Sequence, residues 1–388
     1  MNENEHYDIA IVGGGLAGLS VGIQSAKAGY KVILFEKEKY PFHKVCGEYI
    51  SFESWDFLEE LGMPLSEMNL PVIHKVLVSA PGGKFIEHML PLGGFGISRF
   101  KLDSMLSEIA KANGVTVIEQ CRVNDIVFEN SRFRIATGTR SIQQAQQPSA
   151  YTATIAVAAH GKRSNLDVKW NRNFVRKRTD KLNNFIGIKY HIRTHWKDDL
   201  IALHNFKDGY CGISKIEDNK SCLCYLTTAK NLELCKNSIK KMEEVILSRN
   251  PHLKKIFSES EKLIDPPVTI SQISFDKKTQ VEDHVLLIGD AAGMITPLCG
   301  NGMSMALHGS KIAFDTTNLF LQGQISREQM EQQYKDAWNK CFSNRLQAGR
   351  FIQRFFGNPF LSDLLITSLK PFPGIVTRLI RATHGNPF

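Results

Sequence analysis

Tyr7-Asp8-Ile9-Ala10-Ile11-Val12, running directly into Gly13-Gly14-Gly15-Leu16-Ala17-Gly18, is the stretch whose reading decides the fold. The first six residues form a short apolar run suited to a buried parallel strand, and the next six fit G-x-G-x-x-G through Gly13, Gly15 and Gly18. A small-residue amphipathic segment, Leu19 to Ala28, predicts a helix that stops at Gly29, and Lys31 to Phe35 predicts a second strand ending on Glu36. In this order each part has a task. Gly13 permits the tight turn, Gly15 lets the backbone approach a pyrophosphate, and Gly18 lets helix and strand pack closely. The helix N-terminus offers unpaired N–H groups and the positive dipole end to the phosphates. Glu36 is suited to accept from ribose hydroxyls and would repel a 2′-phosphate. The unit therefore reads as a dinucleotide site, and by itself it leaves NAD and FAD both open.

The 388 residues allow two domains or one large discontinuous one, and 43% hydrophobic against 22% charged residues gives a globular chain with a substantial core. No apolar stretch reaches the length of a membrane-spanning helix. The polar, acidic opening Met1–His6 is unlike a signal peptide, so a cytoplasmic location is expected. The eight cysteines form no disulfide framework and no Cys/His cluster has metal-ligand spacing, so no metal is expected. Cys222 and Cys224 share a face if they lie on a strand. The net charge of +9 gathers partly between Lys162 and Lys181, including Arg176-Lys177-Arg178. With no aromatic interleaving it reads as a solvated basic face rather than a nucleic-acid surface.

Along the chain, Lys37 to Glu48 reads as a loop, Glu53 to Leu61 as a helix, and Val72–Leu77 with Phe85–Leu90 as a hairpin given to a second sheet. Phe100–Ala112 has helical spacing, Val115–Glu119 is strand-like, and Val123–Ile135 reads as a hairpin around Asn130-Ser131. Gln143–Ser149 is a polar surface loop, and Thr152–Ala158 resumes as a strand. Phe185–Thr227 predicts an antiparallel sheet with turns at Asp208-Gly209 and Asp218-Asn219, and Leu232–Asn250 predicts one helix. Val285–Ile288 is a buried strand ending on Gly289-Asp290, followed by a helix from Gly302 to Leu321. Ser326-Arg327-Glu328-Gln329 is a capping box opening a helix to about Phe356.

At Gly289-Asp290 a resemblance can be named. The chain resembles the FAD-dependent oxidoreductases of the p-hydroxybenzoate hydroxylase-like superfamily, most closely the geranylgeranyl reductase branch. Four stretches carry it: Gly13 to Glu36; Lys44-Val45-Cys46-Gly47-Glu48; Arg99 with Leu102-Asp103; and Gly289-Asp290-Ala291-Ala292 with Pro297-Leu298-Cys299-Gly300-Asn301-Gly302-Met303. The resemblance implies an α/β fold: a discontinuous Rossmann-like FAD-binding domain (1–70, 99–165 and 276–325), an antiparallel β-sheet substrate domain (71–98 and 166–275), and C-terminal helices (326–388). It implies FAD contacts at Gly13, Gly15, Leu16, Ala17, Gly18, Glu36, Lys37, Cys46, Gly47, Arg99, Val123, Gly289, Asp290, Pro297, Gly300, Gly302 and Met303. Asp290 is suited to accept from a ribityl hydroxyl, and the helix opened by Gly302 can face developing negative charge on the ring. Gly300 and Gly302 let the backbone approach that ring. Arg99 is placed on the phosphate or ribityl portion, and the backbone of Val123 on adenine.

Cys46 reads either as a buried small hydrophobe or as a thiol on the substrate side, a proton donor there if its pKa is lowered. His160-Gly161 stands where relatives that bind reduced nicotinamide carry Asp-Gly. His160 is therefore read as structural, with NADH or NADPH as the reductant to be tested. Asp208–Ile213 resembles a Gly-Tyr-x-Gly strand facing the flavin. The segment from Phe351 to Arg381 is a helical cap or, alternatively, a peripheral membrane contact for a hydrophobic substrate. The activity implied is reduction of carbon–carbon double bonds in a hydrophobic, isoprenoid-like substrate. The alternatives are an oxygen-using monooxygenase and a non-catalytic flavin-binding protein.

Overall fold

The computed structural model describes residues 5–139, 150–176 and 184–388. The polar loop Gln143–Ser149 and Lys177-Arg178 lie outside them. The glycine turn joins β1 (His6–Val12) to α1 (Leu16–Lys27), and β2 (Val32–Phe35) follows. After the 37–48 loop come β3 (Tyr49–Ser51) and α2 (Trp55–Leu61), then the hairpin β4 (Val72–Ser79) and β5 (Phe85–Gly96). The helix α3 (Arg99–Ala112) precedes β6 (Thr116–Ile118), β7 (Cys121–Glu129), β8 (Arg132–Thr139) and β9 (Ala150–Ala158), and two short helices α4 (Asn165–Lys169) and α5 (Asn173–Arg176). Next are β10 (Phe185–Arg193), β11 (Leu200–Phe206), β12 (Gly209–Lys215) and β13 (Ser221–Thr228).

The expected single helix over 232–250 is instead α6 (Ala229–Leu234) and α7 (Ile239–Val245), followed by one 3-10 turn. Lys236 and Asn237 take left-handed φ of 56° and 59°, which stops α6, and Ser238 accepts from Lys241 N–H to start α7. A further helix, α8 (Pro251–Glu259), is capped by Asn250 with Pro251 at its first position. The chain closes with β14 (Glu261–Lys262), β15 (Val268–Ile273), β16 (Val281–Glu282), β17 (Val285–Leu287), α9 (Gly302–Leu321), α10 (Arg327–Gln353), α11 (Pro359–Leu369) and α12 (Pro373–Arg381). The capping box forms: Ser326 Oγ accepts from Gln329 N–H while Gln329 Oε1 accepts from Ser326 N–H.

Two sheets result. The first runs β16-β17-β9-β1-β2-β6, parallel from β17 to β6, with β7 and β8 added antiparallel beside β9. Ile9, Ile11, Ile33 and Leu34 are fully buried in it, and each such side chain contributes about 1.5–3 kcal/mol through its removal from water. α1 and α9 cover one face, and α10 packs beside α9 through Tyr334, Trp338, Phe342 and Leu346, an i, i+4 stripe that is buried throughout.

The second sheet runs β14-β10-β13-β12-β11-β4-β5-β3, with β15 also on β10. It is antiparallel except where β11 meets β4 in parallel, Leu200 opposite Lys75. Strand β3, within the stretch read as cofactor-binding, pairs with β5 in this second sheet. One face, carrying Ile188, Tyr190, Ile213, Leu223 and Tyr225, packs with Met242, Leu247 and Leu253 from the α6–α8 region. Alternation turns the other residues, among them Gly187, Lys189, His191, Cys222 and Cys224, to the opposite face.

Candidate functional site

The glycine turn has the geometry its spacing predicts. Gly13 has φ +110°, and a Cβ there would lie 2.4 Å from the Ala159 carbonyl oxygen. A Cβ on Gly18 would fall 2.0 Å from the Gly13 carbonyl oxygen, so helix and turn touch there. A Cβ on Gly15 meets only Arg99 Nη2 and Lys44 Nζ, each 3.7 Å away. The approach over Gly15 thus opens toward two cations. Behind it Leu16 and Ala17 are buried, and α1 starts with no side-chain cap and no acid in its first turn. Glu36 accepts from the N–H groups of Gly14 (2.8 Å) and Glu38 (3.0 Å), which fixes the turn and leaves each carboxylate oxygen a second lone pair. Lys37 is exposed beside it. Val123 is buried and its carbonyl accepts from Asn165 Nδ2 at 3.2 Å.

Asp103 holds the two cations in place. It receives Arg99 Nε (2.7 Å), Arg99 Nη2 (2.8 Å) and Lys44 Nζ (2.8 Å). Burial acts to raise the Asp103 pKa, but Arg99 and Lys44 outweigh it and hold the carboxyl below its ordinary value. Two cations on one carboxylate leave net positive charge facing the α1 N-terminus, an anion site by charge and by dipole.

The distant segment closes on the same place. Gly289 has φ +60°, and a Cβ on it would lie 3.2 Å from that of Ala17 and 3.7 Å from that of Ala306, so β17, α1 and α9 meet at this glycine. The Asp290 carboxylate has no hydrogen-bond partner among the described residues. Burial raises its pKa against the opposing pull of Lys278, Arg99 and Lys162. Lys278 is buried, donates to the carbonyls of Asp290 (2.7 Å) and Lys162 (2.8 Å), and has its pKa lowered by burial to about 8.

Pro297 opens a 3-10 turn, and Gly302 begins α9, where no side chain caps the helix and Met303 is buried. Gly300 has φ +65°, and its missing Cβ would face the Tyr49 ring at 3.1 Å. The glycine is thus required there by backbone conformation and by Tyr49. The Tyr49 hydroxyl and the Asn301 Oδ1 are buried without hydrogen-bond partners among the described residues. An uncapped helix end at each side, an unpartnered Asp290, two cations over Gly15 and these orphaned polar atoms fit an elongated dinucleotide.

Sequence reasoning passed over the group that joins this cradle to the second sheet. Beyond exposed Gly47, Glu48 has φ 56° and accepts from Arg99 N–H (2.9 Å), Lys189 Nζ (2.7 Å) and His191 Nε2 (2.6 Å). The side chains of Glu48 and Lys189 are both 0% exposed. Burial opposes both charges, yet Glu48 is held below and Lys189 above its ordinary pKa, so the pair is ionised. A signal existed: Lys189 and His191 share one face of an otherwise apolar strand.

In register beside them lie Cys224 and Cys222, with Cys222 Sγ donating to the Cys46 carbonyl at 3.2 Å. Glu48, His191 and Cys222 offer metal-ligand atoms within 4.8 Å of one another. The Lys189 ammonium already supplies the cation that Glu48 needs, and a divalent ion would sit against it. Burial pushes the Cys46 pKa up against the pull of Arg99, so the thiol keeps its proton and the condition attached to its proton-donor reading, a lowered pKa, is not met.

His160 belongs to a separate structural network. Its Nε2 lies 3.1 Å from Asp167, which also receives Arg172 Nη1 (2.6 Å) and Ser164 N–H (2.6 Å) and caps α4. Burial opposes the Asp167 charge, but His160 and Arg172 lower its pKa from 3.8 to about 2. The folded-state value is depressed, so this stabilisation is complete above pH ~4 and is lost as pH falls toward 2. Asp167→Ala should destabilise the protein by about 2–4 kcal/mol near neutral pH, with the difference from wild type shrinking in acid denaturation series. A pH-independent difference would contradict this.

Comparison with known proteins agrees with the geometry. Residues 8–43 match the FAD binding domain family. Conditioned medium factor receptor 1 of Dictyostelium discoideum is 23% identical over 90% of this chain and 71% of its own length. A digeranylgeranylglycerophospholipid reductase of Methanococcus vannielii is 24% identical over 91% of this chain and 88% of its own. The structure of a flavin-dependent brominase superposes with a TM-score of 0.78 at 18% identity, covering 97% of this chain and 93% of the brominase. The fold is that of FAD-dependent enzymes, and the match to an FAD-binding domain covers residues 8–43. No helix among the described residues is long and apolar enough to cross a membrane.

Proposed function

We propose that the chain is an FAD-dependent reductase that saturates carbon–carbon double bonds of a hydrophobic, isoprenoid-like substrate, with NADH or NADPH as the source of electrons. FAD is held by the Gly13–Gly18 turn, Glu36, Arg99 and Asp290, with Lys44 joining Arg99 at the phosphates. When bound and reduced it supplies the hydride. Saturation also needs a proton on the neighbouring carbon, delivered by a protein group or by water held in the site.

The observation that carries the reading is the cluster at Cys46, Glu48, Lys189 and His191. It sets the buried Lys189 ammonium of β10 beside the 37–48 loop that carries the Cys46 thiol and Glu48, whose carboxylate also accepts from the Arg99 backbone. Glu48 fixes Lys189 and His191 on the sheet and the backbone of Arg99 on the cofactor side, so one carboxylate keeps both halves in register. The match to the archaeal reductase along most of both chains supports the same reading.

The likeness to a flavin-dependent brominase favours a second reading, an oxygen-using enzyme. Anaerobic chemistry separates the two. Photoreduced holoenzyme mixed without O2 with a geranylgeranyl lipid should regain the absorbance of oxidised flavin while the lipid gains two hydrogens per bond reduced. Reoxidation only when O2 is admitted, with the lipid unsaturation intact, would overturn the reductase reading and support the second. No reoxidation beyond simple autoxidation under either condition would leave a flavin-binding protein without this activity.

A further inference from the structure

Large apolar side chains gather at one corner of the molecule. β5 presents Phe85 at its start and Met89 further along, 47% and 56% exposed. The two last helices and their junction present Phe360, Leu364, Phe372 and Ile375 at 75%, 54%, 56% and 46%. α12 packs on β5, where His88 Nε2 meets Thr377 Oγ1 at 2.9 Å. Between them runs an open groove of about 650 Å³, walled by Phe85, Ile86 and His88 on the strand and by Ile366, Leu369 and Val376 on the helices.

Charge accompanies the apolar groups. From residue 350 to the end the chain carries Arg350, Arg354, Lys370, Arg378 and Arg381 against a single carboxylate, Asp363. In α12 Val376 is buried against the body while Ile375, Arg378 and Arg381 face solvent. Phe85, Phe360, Phe372 and Ile375 stand at or next to element ends, Met89 and Leu364 lie within β5 and α11, and cations flank the helical groups. That is the pattern of a surface that dips into a bilayer interface and keeps its charges at headgroup level.

We propose that this corner, β5 with α11 and α12, docks on an anionic lipid surface. Phe360, Leu364, Phe372 and Ile375 enter the interface, and Arg378, Arg381 and Lys370 meet the lipid phosphates. If the substrate is lipid-borne, a clause that rests on the function proposed above, the groove is where its tail leaves the bilayer, since β5 runs from the groove to Gly96 beside Ser98 and Arg99.

The test is flotation of the holoprotein with vesicles of phosphatidylcholine alone and of phosphatidylcholine with phosphatidylglycerol. Binding should be at least tenfold greater on the anionic vesicles and should fall as salt rises. The double charge reversal R378E/R381E should abolish the preference for anionic lipid. F360S/F372S should weaken binding to anionic vesicles about tenfold or more. Both pairs are exposed, and an unchanged melting temperature checks that the fold is retained. Equal flotation with both lipids, or none with either, would overturn the proposal. So would a wild-type dimer in sedimentation velocity that F360S/F372S converts to monomer, since the face would then bind a second copy. Flotation needs no turnover, so its failure leaves the reductase reading untouched, and failure of the anaerobic assay leaves this one standing.

Discussion

Glu48→Ala should be among the most destabilising single substitutions available in this protein, by about 3–5 kcal/mol in urea or thermal denaturation. The native carboxylate lies in a site from which water is excluded, and it accepts from an ammonium, an imidazole and a backbone N–H. Removing it leaves Lys189 charged, fully buried and unpaired, and strips the Arg99 amide of its acceptor. That loss is a large share of the ~5–15 kcal/mol that holds a domain together. Glu48→Gln, which keeps one acceptor oxygen but turns an amide toward a cation, should fall between. Because the penalty is mostly the orphaned ammonium, E48A/K189M should recover more than half of it, a coupling that a double-mutant cycle measures directly. The sign with pH follows from the shifts. Glu48 is depressed, so its contribution is lost as pH falls below the ordinary glutamate value of 4.5. Lys189 is raised, so its contribution is lost only as pH rises above the ordinary 10.5. A Glu48→Ala protein within about 1 kcal/mol of wild type would show that the pair is solvated or broken in solution.

Why the first sheet and its turn were legible from sequence, and this network was not, is a matter of range. The β1–α1–β2 unit is built from contacts less than thirty residues apart, and its glycines are constrained by backbone sterics that leave few substitutes. The same holds for α9 and for the capping box at Ser326. The helix expected at 232–250 was misread because apolar spacing continues through Cys235–Ser238 while the backbone there turns left-handed at Lys236 and Asn237. Lysine carries no sequence signature for that conformation.

Glu48 meets Lys189 and His191 more than 140 residues further along the chain. Nothing local to Lys44–Glu48 says that a strand of the other sheet supplies its counter-charges. Asp103 is intermediate. It was visible beside Arg99, but its second partner, Lys44, is brought in only by the loop. For Cys46 the sequence leaves two readings open, a buried small hydrophobe and a thiol on the substrate side, because burial, which raises its pKa, cannot be seen from the Cys-Gly pair alone.

Three substitutions within one hexapeptide should separate folding from cofactor binding. Gly13→Ala and Gly18→Ala would each force a Cβ against main-chain oxygen, at 2.4 Å and 2.0 Å, and Gly13 has a left-handed φ besides. Both should lower the melting temperature and the yield of folded protein. Gly15→Asp is expected to act in the opposite direction on the fold. Gly15 is the N-cap of α1 at φ −86°, a conformation open to any residue, and a new Cβ has 3.7 Å of room on the side of Arg99 and Lys44.

An aspartate there caps the helix, complements its dipole and places a carboxylate between two cations, for a gain of about 0.5–2 kcal/mol in the cofactor-free protein. The same carboxylate occupies the opening toward those cations and repels any phosphate approaching it. The Gly15→Asp protein should therefore be purified folded, melt at or above the temperature of the cofactor-free wild type, and bind FAD at least a hundredfold more weakly by quenching of flavin fluorescence. A Gly15→Asp protein that still binds FAD with wild-type affinity would remove the phosphate from this turn, and with it the assignment of Arg99 and Lys44 to the cofactor.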